Sequence, residues 1–187
     1  MSLIEELREE VSGCRRCPEL VKNRSRVVFG DGNPFSKVLM IGEAPGVEED
    51  QQGIPFVGRA GKFLTEELAK IGIDRKKYYI TNVLKCRPPE NRDPTAEEIA
   101  NCAGFLGAQL ALIKPLIIVL LGRYGLQELV KKTFKISEVH GKCIRGNGVI
   151  FFPMYHPAAA LRDPRVKEAF ILDIKRFRKL LEREGIL

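Results

Sequence analysis

Apolar positions along this chain fall into two kinds of segment that alternate. Four short runs stand out: Val38–Ile41, Tyr79–Leu84, Leu116–Leu121 and Val149–Tyr155. Three of them are apolar at nearly every position, as strands covered on both faces are. Between the runs the spacing changes to that of helices. Phe63, Leu64, Leu68 and Ile71 mark one helical face. Ile99, Ala103, Leu106, Leu110 and Ile113 mark another, opened by Thr95 and Glu98 at capping-box spacing. Leu126, Leu129 and Val130 predict a short third helix, and Val166, Phe170, Ile174, Phe177 and Leu181 a long C-terminal one. The N-terminus, with Glu5, Glu6, Arg8, Glu9 and Glu10, reads as an amphipathic helix and not as a signal peptide. Such alternation predicts an α/β fold, a three-layer α/β/α sandwich around a mainly parallel four-stranded central sheet. No repeat or linker divides the chain, so one domain over residues 1–187 is expected.

In open sheets of this type ligands bind outside the carboxyl ends of the strands. The first run ends into Gly42-Glu43, the second carries Asn82 and leads to Cys86, and the fourth ends at His156-Pro157. After the first run comes a stretch of twenty residues, Gly42 to Gly61, with five glycines, two prolines and the acidic residues Glu43, Glu48, Glu49 and Asp50. It reads as a strand-to-helix connection far longer than the ~2–6 residues usual for one, and long ordered loops are commonly functional. Glycine lets such a loop bring its backbone close to a ligand. A mobile surface lid is the plainer reading of the same composition.

Asn82 lies inside an apolar strand, where a carboxamide needs partners for two donors and an acceptor. It either stitches adjacent loops together or recognises a flat ligand edge that offers both a donor and an acceptor. His156 at a strand end could donate a hydrogen bond to an oxygen that gains negative charge. Phe56 could stack on an aromatic ligand instead of filling core. His140, before Gly141, has no comparable setting and is expected at the surface.

Composition changes this picture in two places. Net charge is +7, with basic residues gathered at Arg15–Arg26, at Arg75–Lys77 with Lys85 and Arg87, and from Arg162 to Arg183. That balance suits a polyanionic partner without establishing one. The longest apolar run is far shorter than the ~20 residues a membrane span needs, and a cytoplasmic location is expected. The five cysteines of such a chain argue against a disulfide framework. Cys14 and Cys17 form a C-x-x-C pair, Cys86 and Cys102 lie far along the chain, and Cys143 is the odd one out. The four could hold a [4Fe–4S] cluster or a structural zinc, or Cys86 and Cys102 could be plain core residues. Spacing alone leaves these open.

Several separated motifs now agree. G-E-A-P-G at 42–46, G-I-P-F-V-G-R-A-G at 53–61, T-N-V-L-K-C-R-P-P at 81–89 and H-P-A-A-A-L at 156–161, with the layout Cys14, Cys17, Cys86, Cys102, resemble the iron–sulfur (family 4) uracil-DNA glycosylases over essentially the whole chain. The resemblance implies a monomeric DNA-repair enzyme. It would take uracil flipped out of single- or double-stranded DNA and hydrolyse its N-glycosidic bond. Gly42, Glu43 and Ala44 would line the pocket, Phe56 would stack on the ring, Asn82 would pair with its N3–H and O4, and His156 would contact O2. Glu43 and His156 would be the catalytic pair. Ala158, Leu161 and Arg162 would probe the duplex where the base leaves, and the four cysteines would hold a [4Fe–4S] cluster, zinc being the alternative. The better-known uracil glycosylases place Asp and a bulky Tyr where this chain has Glu43 and Gly46. A non-catalytic DNA-binding module is a second reading. A nucleotide enzyme is a third, weakened because the glycine loop lacks a Gly-Lys-Ser/Thr phosphate cradle.

Overall fold

A computed structural model describes residues 2–187. Its centre is a six-stranded sheet: β1 (Asp31–Gly32), β2 (Val38–Gly42), β3 (Tyr79–Asn82), β4 (Ile117–Leu121), β5 (Ile144–Gly146) and β6 (Val149–Met154), in spatial order β1-β3-β2-β4-β6-β5. The four strands expected from the apolar runs form its parallel middle, with Leu39 opposite Tyr79 and Ile118, and Val119 opposite Phe152. The count of four is corrected to six. Two strands of two and three residues, β1 and β5, add antiparallel at either edge. Neither is long enough to show a period-two pattern. β5 is joined to β6 through Asn147 and Gly148, both with positive φ (51° and 77°), as a tight hairpin requires.

Alternate residues of each strand point to opposite faces, and the two faces carry separate cores. Val38, Met40, Ile80, Val119 and Phe152 pack under α4 (Arg59–Lys70) and α9 (Pro164–Arg183), which contribute Phe63, Leu64 and Leu68, and Phe170, Ile174 and Phe177. Leu39, Ile41, Tyr79, Ile118 and Leu120 pack under α5 (Ala96–Ile113) and α6 (Arg123–Leu129), through Ile99, Leu106, Ile113 and Leu126. Helices therefore cover both faces. Thr95 and Glu98 close the expected capping box on α5: Thr95 Oγ1 accepts from Glu98 N at 3.2 Å, and the Glu98 carboxylate accepts from Thr95 N at 2.8 Å. Such a cap stabilises a helix by about 1 kcal/mol. A third, smaller core of Leu7, Val11, Phe29 and Phe105 seats α1 (Leu3–Ser12) against α5.

The long connection after β2 is not a plain loop. It contains a helix, α3 (Val47–Gln52), whose acidic first turn suits the positive end of the helix dipole. Two of the acidic residues face inward. Glu49 accepts from the main-chain N–H groups of Gly46, Val57 and Gly58 at 3.1, 3.0 and 2.9 Å, closing the loop on itself. Buried Asp50 accepts from Ser25 N at 2.9 Å and Arg26 N at 3.4 Å. Glu49 and Asp50, so bonded, belong to the scaffold, while Glu48 is exposed. His140 is not a simple surface residue either. Its Nδ1 lies 2.6 Å from Oδ2 of the fully buried Asp173, and its ring sits 4.6 Å from that of Tyr155.

Candidate active site and cysteine cavity

The chain runs from β2 to β3 on one side and then crosses to β4 on the other. That reversal leaves a crevice at the carboxyl ends, the usual ligand position in an open α/β sheet. Here the crevice is a cleft of about 270 Å³ lined by Glu43, Ala44, Phe56, Asn82, His156, Ala158 and Arg162 among others, near the lower end of small-ligand sites. Leu161 is exposed just after α8 (Pro157–Ala160) and is not among the lining residues.

Asn82 ends β3 and is 2% exposed, yet its Oδ1 is the one buried side-chain polar atom without a hydrogen-bond partner among the described residues. An orphaned buried acceptor costs about 1–3 kcal/mol, so the fold keeps a stabilising bond in reserve at the cleft. Gly42 stands against it: a Cβ there would collide with Asn82 Oδ1 and Phe56 Cζ. Only glycine lets these groups crowd one floor. The ring of Phe56 lies 5.8 Å from that of His156, inclined by 31°.

His156 lies two residues past β6 and caps α8, its Nδ1 accepting from Ala158 N at 3.2 Å. That bond leaves the proton of the neutral ring on Nε2, which becomes a donor. Burial, with Arg162 nearby, pushes its pKa down to about 4, so the ring is uncharged near neutrality. Glu43 moves the other way. Burial and Asp93 raise its carboxyl above the ordinary 4.5, against the opposing pull of Arg123 and Arg162.

The cleft includes residues that the sequence did not mark, notably Glu49, Asn91 and Arg92. Asn91 has φ +56°, and its Oδ1 accepts from Arg87 Nε at 2.8 Å. Arg92 grips Glu98 through both terminal nitrogens, at 3.0 and 2.7 Å, and reaches Glu19 at 2.9 Å. Its guanidinium thereby joins the cleft wall to α2 (Pro18–Asn23) and α5. An Asn in the polar Pro-rich stretch P-P-E-N-R-D-P is a local turn signal that could have been sought; the tertiary grip of Arg92 leaves none.

Cys14, Cys17, Cys86 and Cys102 line one cavity behind the cleft, together with Arg16, Arg24 and Lys85. Arg24 Nη1 donates to Cys86 Sγ at 3.0 Å, and Asn101 Nδ2 lies 3.6 Å from Cys17 Sγ. Burial pushes the Cys86 thiol up to about 11 and raises those of Cys17 and Cys102 as well. Among the described residues no three His, Cys, Asp or Glu side chains are grouped as a single metal ion would need. Cys143 is exposed and stands outside the cavity, near Arg183. Lys85 is 1% exposed; its Nζ donates to Thr81 Oγ1 at 2.6 Å and to the Asn82 carbonyl at 2.7 Å, and burial pulls its pKa down to about 7. No helix of the described residues is long and apolar enough to cross a membrane.

Known proteins share this sequence at length. The model of the uracil DNA glycosylase superfamily matches residues 29–181. A type-4 uracil-DNA glycosylase of Archaeoglobus fulgidus is 44% identical over 188 residues, covering 96% of this chain and 94% of the relative. One from Sulfurisphaera tokodaii is 42% identical over 189 residues, covering 96% and 86%. One from Thermotoga maritima is 43% identical over 187 residues, covering 98% and 97%. With the match spanning both the strand-end cleft and most of the fold around it, the chain belongs to the uracil-DNA glycosylase superfamily.

Proposed function

We propose that the protein is a monofunctional uracil-DNA glycosylase of base excision repair, and that it acts in the cleft at the carboxyl ends of β2, β3 and β6. The observation that carries this reading is the convergence on one cleft of an unpartnered Asn82 Oδ1, the Phe56 ring and a neutral His156. Uracil presents an aromatic face, an N–H beside a carbonyl, and a second carbonyl. Asn82 Oδ1 would accept from N3–H while its amide donates to O4. Phe56 would stack beneath the ring, a contact of roughly 1–3 kcal/mol that offsets the few kcal/mol of extruding the base. Gly42 and Ala44 would let backbone lie against the base edge.

Hydrolysis breaks the bond between C1′ and N1, and the electron pair leaves with the base. The charge spreads onto O2, where His156 Nε2–H would donate to it; a donor placed where charge develops acts chiefly on the transition state. Glu43 would hold the water that adds to C1′ and accept its proton, leaving an abasic sugar and free uracil. Burial and the nearby Asp93 raise the pKa of Glu43 above the ordinary 4.5, which makes the carboxylate a stronger proton acceptor. Ala158, Leu161 and Arg162, at the mouth of the cleft and just beyond it, would occupy the gap left in the duplex. A chain that works on single- or double-stranded DNA in this way would do so in the cytoplasm, as a single-domain monomer.

The four cysteines suit a [4Fe–4S] cluster. Four soft thiol donors line one cavity, the donor set that an iron–sulfur cluster takes. Cys14, Cys17, Cys86 and Cys102 would hold it, and the group would supply bonds that tie the N-terminal helices to the segment after β3. The test of the function is release of uracil from single-stranded and U:G oligonucleotides, read as alkali-labile sites. No release across salt and temperature, with DNA binding intact, would return the protein to a binding module.

A further inference from the structure

Phe56 holds an unusual backbone conformation. Its φ is +55°, in the left-handed region that bulky side chains avoid. Such a conformation persists only where surrounding structure imposes it, and two neighbours do so here. Gly61, opening α4, packs so closely that a Cβ there would collide with the carbonyl of Phe56. Arg75, in the helical turn Arg75–Lys77 before β3, reaches across from the other side. Its Nη1 donates to the Phe56 carbonyl and its Nη2 to the Pro55 carbonyl at 2.6 Å, with Thr65 Oγ1 3.3 Å from Nη1.

The guanidinium has no carboxylate within ion-pair distance, and the two consecutive carbonyls receive no main-chain N–H among the described residues. A planar fork of donors matches two carbonyl oxygens a residue apart, which a single ammonium cannot. The arrangement orients the peptide on each side of Phe56 and so directs the ring at the cleft. We propose that Arg75 is a positioning residue for base recognition: it clamps Pro55 and Phe56 so that the aromatic ring forms the floor on which the base stacks. This rests on the reading of Phe56 as that floor.

The test measures inhibition by free uracil, and KM and kcat on a single-stranded deoxyuridine oligonucleotide. The proteins are full-length Arg75→Met, Arg75→Lys, Phe56→Ala and the Arg75→Met/Phe56→Ala pair, each checked for folding by circular dichroism. Phe56→Ala should weaken uracil binding by about tenfold or more, the share of one stacking contact. Arg75→Met should weaken it by a similar factor, and the double variant should bind no worse than Phe56→Ala alone, because the arginine acts through the ring. Arg75→Lys should fall between Arg75→Met and the unaltered protein. A residue that merely stabilised the fold would add its loss to that of Phe56→Ala. Additive losses, or unaltered uracil affinity in folded Arg75→Met, overturn the proposal; if Arg75→Met does not fold, unaltered affinity in Arg75→Lys does so. Unaltered affinity in Phe56→Ala instead removes the stacking reading itself, and the clamp loses its purpose with it.

Discussion

Lys85 Nζ lies 2.7 Å from the main-chain carbonyl of Asn82, so one buried amine stands between the cysteine cavity and the amide at the floor of the cleft. The two sites are neighbours back to back. Strand β3 runs out between them, giving its last residue to one and, four residues later, Cys86 to the other.

Asn82→Ala separates activity from stability. The side chain leaves its Oδ1 unpaired in the free protein, so its removal takes away no hydrogen bond to that atom. Melting temperature should hold or rise, while uracil release falls by about 10²-fold or more as expected for a lost recognition group. A lowered melting temperature with near-normal turnover would place Asn82 in the scaffold and not in the site.

Gly42→Ala should close the cleft. The new methyl group meets both Asn82 Oδ1 and Phe56 Cζ, so one of them must move. Uracil release should fall by at least about 10²-fold, while affinity for DNA without uracil, measured by anisotropy, stays the same, since phosphate contacts carry nonspecific binding. Retained turnover would show that the floor can yield.

The acid limb of the pH profile should belong to Glu43. Its pKa is raised above 4.5, whereas that of His156 is depressed to about 4, so the carboxylate is the first of the two to take a proton as pH falls. The limb in kcat/KM should therefore lie above pH 4.5 and disappear from the residual activity of Glu43→Gln. The depressed histidine also makes a stability statement: its contribution is complete above the ordinary 6.5 and is lost as pH falls toward 4. His156→Asn should remove that portion of the acid sensitivity, as measured by denaturation at pH 7 and pH 4.5.

Asp50→Ala tests whether the acidic cluster is scaffold. The carboxylate is buried and holds the N–H groups of Ser25 and Arg26, which would be left without an acceptor. A loss of about 3 kcal/mol in unfolding free energy is expected, from two orphaned donors at 1–3 kcal/mol each. Little change in stability but a rise in DNA affinity would mean that the residue faces the nucleic acid.

Aerobically purified protein should be brown, with iron and acid-labile sulfide, and Cys17→Ser should lose the colour while Cys143→Ser keeps it. Colourless protein with stoichiometric zinc would replace the cluster by a single ion.

The parallel middle of the sheet was legible because Val38–Ile41 and Leu116–Leu121 are buried on both faces, which writes burial directly into composition. The edges were not, since Asp31–Gly32 and Ile144–Gly146 are strands only through their partners. Gly42, Asn82 and His156 stood out as residue types that are costly or unusual at strand ends. Glu49 and Arg92 were not singled out as site residues, because nothing local records that Glu49 gathers three main-chain N–H groups or that Arg92 spans three elements. His140 misled for the same reason: its partner Asp173 lies 33 residues away, across the fold.

The small third core has a consequence for how the molecule comes apart. Only four buried side chains, with Arg8 over Phe29 and Arg16 over Phe105, seat α1 against a body whose two main cores lie elsewhere. If the four cysteines hold the proposed cluster, its loss would leave the leading segment a flap on an otherwise intact sheet. Chelation followed by limited proteolysis should then sever it near Asn23–Arg26 before the sheet melts, so that loss of the proposed cluster would be written as a clipped chain and not as an aggregate.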